Sequence, residues 1–413
     1  MMLSELLGNP VRDAEGQSAG RLHDIVACID GADPPRIVGL LLRRKRAQLF
    51  LPVAAVERLD VRAVVVAAPA TPLAPVERRP REGLLGRDVM DSQVISLAEP
   101  RVVRVNDVVL AGDGADWRVS GVDIGARALL RRVLPRALRP HGGRARTIPW
   151  ARVELLSSEV PGGLVPPDHR RLARLHPADI ARIADAVPRA QATEIVASLD
   201  DELAADTMEE MIDAKQADVI EELEPERAAD ILDRMAPDAA ADVLAELEPG
   251  VVDTVLRRMD PTEAADVHAL LTYPHNTAGG LMSTDYMMAP RGLRIGATLD
   301  HIRPQMEKPD VVYYVYVVDD EEERRLRGGF SLRDLLLADP ARTVDDIMDA
   351  NPRRAAPDLP ARLVARIMAE YNLMALPVTD PQGRLLGVVS VDDALDVILP
   401  AALRRRVPRI SHR

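Results

Sequence analysis

Asp238 and Asp242 stand four residues apart in Pro237-Asp-Ala-Ala-Ala-Asp-Val-Leu-Ala245, a run of strong helix formers. On a helix that spacing puts both carboxylates on one face, where like charges cost roughly 0.2–0.5 kcal/mol. A cation shared with a facing carboxylate would turn the repulsion into attraction. The ion that suits such a place is hard: Mg²⁺ prefers oxygen, keeps several waters and needs only one or two carboxylates. No cluster of histidine and cysteine competes for a softer metal. The one cysteine, Cys28, excludes an intramolecular disulfide and reads as a small core residue in the apolar stretch 25–29. A second pattern, G-x-x-S-x-x-D, occurs at Gly328–Asp334 and again at Gly387–Asp393, each time ahead of a helix-like run. A single aspartate in a helical repeat is most often a solvated face, so the grouping carries the reading.

The acidity is local. Residues 1–160 carry 24 Lys+Arg against 19 Asp+Glu, residues 161–284 carry 10 against 26, and residues 285–413 carry 19 against 20. The middle third therefore points to cations or a basic partner and away from nucleic acid. Aromatics, at 2%, are too few for the stacking platforms that hold single strands. The same third is a repeat: Pro225, Pro237, Pro249 and Pro261 are spaced 12 apart, and Pro177 falls four periods before Pro225. Proline suits the first helical position, where its missing N–H has no partner to lose. Short helices at a fixed period predict a stacked superhelix, each repeat burying its face against its neighbours.

The first third alternates β-like runs (37–42, 48–51, 61–67) with turns at Gly8-Asn9-Pro10, Asp13–Gly16 and Asp33–Pro35. A second pass begins at Gly83. Leu84-Leu-Gly-Arg-Asp-Val89 echoes Leu6-Leu-Gly-Asn-Pro-Val11, and Thr147-Ile-Pro-Trp150 echoes Leu49-Phe-Leu-Pro52, with strands at 94–97 and 102–105 between. Two small β-barrels in tandem, joined by the Pro-rich stretch 69–80, fit this pattern. Arg43–Arg46 reads as a hairpin turn, and Trp117 and Trp150 as barrel packing residues. The last third predicts strands at 311–318, 375–379 and 385–390, a helix that begins with 332–337 and another at 363–370. No run approaches the twenty or so apolar residues of a membrane helix. The N-terminus lacks the form of a signal peptide, so a cytoplasmic location is expected. G-x-S-x-G, H-E-x-x-H, the P-loop and the Rossmann glycines are all missing, and nothing recommends an enzyme.

The two G-x-x-S-x-x-D segments resemble cystathionine-β-synthase-type (CBS) motifs, which come in pairs. Residues 170–400 as a whole resemble the cytosolic part of MgtE-type magnesium channels. The most specific stretches are Tyr273-Pro-His-Asn-Thr-Ala-Gly-Gly-Leu-Met282, Val312-Tyr-Tyr-Val-Tyr-Val-Val-Asp319, Ser331–Asp339 and Gly387–Asp396. The first 160 residues resemble, more loosely, the PRC-barrel family. The MgtE resemblance implies an acidic superhelix and a CBS pair, dimerising through the CBS pair and drawn together by Mg²⁺. It implies metal ligands at Asp206, Asp238 and Asp242 of the superhelix and at Asp393 and Asp396 of the second CBS motif. It also implies that ATP or another adenine nucleotide binds in the CBS cleft through Ser331, Asp334, Ser390 and Asp393. Two positions depart from the family: Asn372 and Pro360 stand where it has aspartates, although Asp358 is nearby. After the second CBS motif the sequence runs to Arg413 without membrane helices, so it is expected not to conduct Mg²⁺ itself.

The sequence thus predicts a multidomain α+β chain. PRC-barrel-like domains occupy 1–78 and 79–160 and a helical superhelix 168–280. An α/β CBS pair follows at 285–348 and 349–400, and a solvated basic tail at 401–413. The expected function is a soluble Mg²⁺-responsive regulator in which Mg²⁺ bridges superhelix and CBS pair. It would act as a homodimer, with a membrane transporter or another protein as candidate partner and neither nucleic acid nor a transmembrane segment. His275 and Asn276, between the two, are expected to make an interdomain hydrogen bond rather than bind metal. Two alternatives stay open: an adenine-nucleotide sensor whose acidity is incidental, and a scaffold that binds a basic protein.

Overall fold

The computed structural model describes residues 1–29, 34–44, 47–61, 63–66, 74–75, 82–113, 116–133, 145–156, 169–307 and 313–398. They fall into two units, Met1–Leu199 and the residues from Asp200 onward. The stretch 69–80 is described only at 74–75, and the start of the strand expected at 311 and the basic tail lie outside the described residues.

The N-terminal unit is built from β1 (Pro10–Asp13), β2 (Ser18–Cys28), β3 (Arg36–Arg44), β4 (Ala47–Pro52), β5 (Val56–Leu59), β6 (Val64–Val66) and β7 (Ala74–Pro75). A second series follows: β8 (Glu82–Leu84), β9 (Gln93–Ser96), β10 (Arg101–Arg104), β11 (Asp107–Asp113), β12 (Asp116–Asp123), β13 (Thr147–Pro149) and β14 (Val153–Leu155). A one-turn helix, α1 (Leu3–Leu6), and the longer α2 (Ala126–Val133) complete it, ahead of the helical repeats. The main sheet runs β11-β12-β3-β2-β1-β6-β5, with β8 on β2, β13 on β12 and β4 on β3. Strands from 1–78 and from 79–160 therefore share one sheet. They also share one apolar cluster, in which Leu3, Leu22, Ile25, Leu40 and Leu42 pack with Leu85, Val94, Val108, Val122 and Trp150.

The halves repeat, but in a different register from the sequence echo. Leu84 corresponds to Met2, not to Leu6. Each opens a short helical turn whose carboxylate bonds back to it, Glu5 to the N–H of Met2 (3.2 Å) and Asp88 to that of Leu84 (2.8 Å). Each turn ends in a left-handed residue, Gly8 (φ 81°) and Asp91 (φ 68°). The leucine doublets misled because every such turn buries leucines. Cys28 is a second correction: as the last residue of β2 it is half-buried and lies outside the core cluster. The β3–β4 hairpin closes at Arg44 opposite Ala47.

Eight helices begin at intervals of 12 residues: α3 (Pro177–Asp185), α4 (Arg189–Ala197), α5 (Asp201–Glu209), α6 (Asp213–Glu222), α7 (Pro225–Leu232), α8 (Pro237–Ala245), α9 (Pro249–Leu256) and α10 (Pro261–Leu270). Proline marks only five of these starts; Asp200 caps α5 instead, accepting the N–H of Leu203 (3.0 Å). The buried positions keep the period too: Ile180, Ala192, Ala204, Ala228 and Ala240 occupy one place in their helices, Ile183, Ile195, Thr207, Ile231 and Val243 another. Helices of two to three turns are unstable alone, and each gains its stability by stacking. In the C-terminal unit α5 packs on α7 and α7 on α9, while α6 packs on α8 and α8 on α10. Carboxylates at helix ends cap later helices: Glu209 accepts the N–H of Ala236 (2.7 Å) and Asp233 that of Asp260 (3.1 Å).

The one-turn α11 (Ala278–Leu281) leads to the CBS pair. The first motif has β15 (Met287–Pro290), α12 (Ile295–Ile302), β16 (Tyr314–Val318), β17 (Leu326–Ser331) and α13 (Leu332–Leu337). The second has α14 (Ala361–Tyr371), β18 (Ala375–Thr379), β19 (Leu385–Ser390) and α15 (Val391–Ile398). β15 runs parallel to β16, which is antiparallel to β17. β18 and β19 are antiparallel, and Ala355 pairs in parallel with Val378 in place of a first strand. The motifs meet where Leu326 donates to Gly383 and Leu385 to Arg324, both at 2.9 Å.

Glycine is required where β12 and β13 approach: a Cβ at Gly121 would lie 2.3 Å from the carbonyl oxygen of Ile148. Gly121→Ala is expected to destabilise the protein by about 1–3 kcal/mol in denaturant unfolding. Gly250→Ala, on α9 with nothing within 4 Å, is expected to stabilise by about 0.4–1 kcal/mol.

Candidate functional site

Asp238 lies in the first turn of α8, where the positive end of the helix favours an anion. Asp242 lies one turn on. The two border a small solvent-open cleft, walled by Ala241, Ala245, Leu270, Leu271 and Met282 and flanked by Tyr273 and His275. Oδ1 of Asp238 is buried without a hydrogen-bond partner. Oδ1 of Asp242 is 2.9 Å from Nδ1 of His275, at a solvent-facing edge. Desolvation on its inward side raises the pKa of Asp242, opposed by the bond to His275 and reinforced by the carboxylates of Asp238 and Asp213. The sequence reading missed Asp213, which opens α6 twenty-five residues earlier; only the stacking of α6 on α8 brings it near.

His275 is positioned by a segment tied to the second CBS motif. Ala278 donates to Leu359, Gly279 to Pro357 and Ala361 to Asn276, each at 2.8 Å, and Ser283 and Val388 exchange two bonds at 2.9 Å. Thr277 caps α11 and its hydroxyl donates to the Pro274 carbonyl (2.7 Å). The side chain of His275 bonds within the helical stretch, to Asp242; the expected bond between the array and the CBS region is made by the carbonyl of Asn276, which accepts from Ala361.

Of the other expected ligands, Asp206 and Asp393 do not line this cleft. Asp206 is half-buried on α5 and engaged with neighbours there. Asp393 accepts the hydroxyl proton of Ser390 (2.5 Å) at the start of α15. Asp396 is helical on α15. Among the described residues no three Asp, Glu, His or Cys side chains converge as a metal site, so a cation beside α8 would have two carboxylates and water. The two departures from the family have structural roles: Asn372 ends α14 in the left-handed conformation (φ 52°), which asparagine tolerates, and Pro360 is its N-cap.

Ser331 and Asp334 form a capping box on α13. The serine hydroxyl donates to the aspartate (2.6 Å), the serine N–H does so at 3.1 Å, and the aspartate N–H returns to the hydroxyl at 3.1 Å. Ser390 and Asp393 repeat two of these bonds on α15: the hydroxyl donates to the aspartate (2.5 Å) and the aspartate N–H donates to the hydroxyl (3.2 Å). Both G-x-x-S-x-x-D motifs are therefore helix N-caps, with N–H groups of the first helical turn close by, the usual setting for an anionic ligand.

Residues 175–276 match the family profile of the MgtE intracellular N domain, and residues 344–400 that of the CBS domain. The magnesium transporter MgtE of Thermus thermophilus is 42% identical over 134 residues, 32% of this chain and 29% of the transporter. That of Enterococcus faecalis is 35% identical over 136 residues, 33% of this chain and 30% of the transporter. The chain matches less than a third of the length of either relative. A crystal structure of the cytosolic domain of the Mg²⁺ channel MgtE in complex with ATP superimposes with a TM-score of 0.52 at 34% identity, covering 55% of this chain and 93% of that one. The soluble part of a magnesium transporter does so with 0.51 at 29% identity, covering 56% and 90%. Among the described residues no helix is long and apolar enough to cross a membrane.

A carboxyl group whose pKa is raised on folding adds stability at acid pH and loses it as pH rises through its folded value. In chelator, Asp242 is therefore expected to lower the melting temperature between pH 4 and neutrality. Asp242→Asn should flatten that part of the profile and melt higher than wild type at pH 7.

Proposed function

Taking residues 175–400 as an MgtE-type cytosolic module, we propose that this chain is a Mg²⁺-responsive regulatory protein. Mg²⁺ binds beside α8 through Asp238 and Asp242 and fills the rest of its shell with water, the coordination this ion favours. The observation that carries the reading is a buried Asp238 oxygen with no partner next to an Asp242 whose ionised form is disfavoured. Both gain from a positive charge placed between them.

In this proposal the cation draws the helical array toward the CBS pair. On closure, Asp393 and Asp396 of α15 and Asp206 of the array would take the place of some of those waters. Two copies pair through their CBS motifs. In support, Leu336 and Leu337 of α13 are 68% and 74% exposed, and Leu395 and Ile398 of α15 also face solvent, an apolar surface of the kind that marks interfaces. The relatives are named magnesium transporters, which makes such a transporter the first candidate for what the module regulates. A second reading places an adenine nucleotide at the capped helices, with Ser331, Asp334, Ser390 and Asp393 meeting ribose and phosphate. The ATP in a solved relative favours it, and it is compatible with the first.

Mg²⁺ at ten times its dissociation constant is expected to stabilise the protein by about 1.4 kcal/mol, a rise in Tm of roughly 2–4 °C. Asp238→Asn and Asp242→Asn should each remove most of that rise. X-ray scattering should show a smaller radius with Mg²⁺; an unchanged radius and Tm in wild type would sink the metal reading. Calorimetric titration of ATP into wild type and Ser390→Ala decides the nucleotide reading, which requires binding that the substitution weakens.

A further inference from the structure

The two halves of the N-terminal unit are completed by each other, and their contacts repeat in pairs. Met2 of the first half pairs with Val109 on β11 of the second, and the N–H of Leu110 donates to the carbonyl of Met1 (2.8 Å). In the reciprocal place Leu84 of the second half pairs with Val26 on β2 of the first, and Gly83 pairs with Ala27. Each short helical turn then reaches a buried aspartate of the opposite half. The N–H of Ser4 donates to Oδ1 of Asp107 (3.0 Å), and the N–H of Gly86 donates to Oδ1 of Asp24 (2.7 Å). Each of those oxygens also takes the next N–H of its own strand, from Val108 (2.9 Å) and Ile25 (2.7 Å).

The register supports a two-fold relation. The β2–β3 ladder is offset between Val26 and Ala27, and β11–β12 between the equivalent Val109 and Leu110. β3 meets β12 at a single pair, Arg36 with Arg118. These arginines sit at the same place in each half, opposite Cys28 and Ala111 respectively, so the axis passes between them. Such a contact is self-complementary, which is the geometry of a two-fold homodimer.

We propose that the N-terminal unit is a fused dimer of one half-barrel and that two copies of the chain exchange halves. The edge of β2 at Val26–Cys28 receives the segment 82–84 from whichever chain supplies it, and β11 receives Met1–Met2. The closed chain and the exchanged pair make the same contacts, so chain concentration decides between them. Fusion holds the second half at an effective concentration that for a short linker is roughly millimolar, and refolding near that concentration favours exchange.

Cys28 lies directly opposite Glu82 across this contact, so Glu82→Cys in the full-length chain reports which chain supplies residue 82. The variant is unfolded in urea with reductant, refolded either dilute or concentrated, oxidised, and run on a non-reducing gel. Dilute refolding is expected to give a cross-linked monomer and concentrated refolding a rising fraction of covalent dimer. Wild type and the double variant Cys28→Ser/Glu82→Cys should give neither. A cross-linked monomer alone at every concentration overturns the exchange. Absence of any cross-link between positions 28 and 82 overturns the pairing itself, and a dimer equally abundant in either control assigns the dimer to another contact and overturns the assignment.

Discussion

Anionic side chains held together on a scaffold that cannot spread them are the constraint behind the candidate site. Asp238 and Asp242 share a helix face, and the stacking of α6 on α8 adds the field of Asp213. None of the three can withdraw without unstacking a helix too short to persist alone. The small residues of α8 that let its neighbours approach, Ala240 and Ala241, set the closeness that makes the repulsion matter. The same repeat that gives the array its stability therefore concentrates its charge.

The nearest counter-charge is on a different structural element, and that gives the site its reach. His275 belongs to a segment hydrogen-bonded to Pro357, Leu359 and Ala361 and to Val388 of β19, two residues ahead of the Ser390 cap. Close contact fixes the segment as well: a Cβ at Gly279 would fall 2.5 Å from the ring of Tyr273, and one at Gly280 2.3 Å from the carbonyl oxygen of Pro274. A ligand that changes the charge beside α8 thus acts on a single hydrogen bond, Asp242 to His275, whose far end is anchored in the second CBS motif.

Much of this was legible in the sequence where a local rule applied. The proline period located five helix starts because a missing N–H costs nothing at the first helical turn. Arg189 and Asp213 carry the same period without proline at the start, and the start at Asp201 is marked by its Asp200 cap instead, so those helices emerge from the recurrence of buried positions. Strands β18 and β19 and the start of α13 were readable to the residue, since alternation and the serine caps both mark them. The pairing of Asp238 with Asp242 followed from helical spacing. Asp213 did not, because its neighbourhood comes from stacking. The placement of Asp206 and Asp393 away from the cleft did not follow either, because spacing along a chain says nothing about which carboxylate a distant helix faces.

The β-rich unit was the least legible for a related reason. A strand's sequence records which side is buried, but not which strand lies beside it. Alternation in β2 and β11 is equally satisfied by two separate barrels and by one shared sheet. What decides between them is a set of backbone pairings, Met2 with Val109 and Leu84 with Val26, that involve no distinctive side chains. Buried aspartates give the one chemical hint. Asp24 and Asp107 would each be costly inside a closed half-barrel without donors, and the N–H groups of Gly86 and Ser4 that meet them come from the opposite half. A buried carboxylate that takes donors from both halves ties one half to the other.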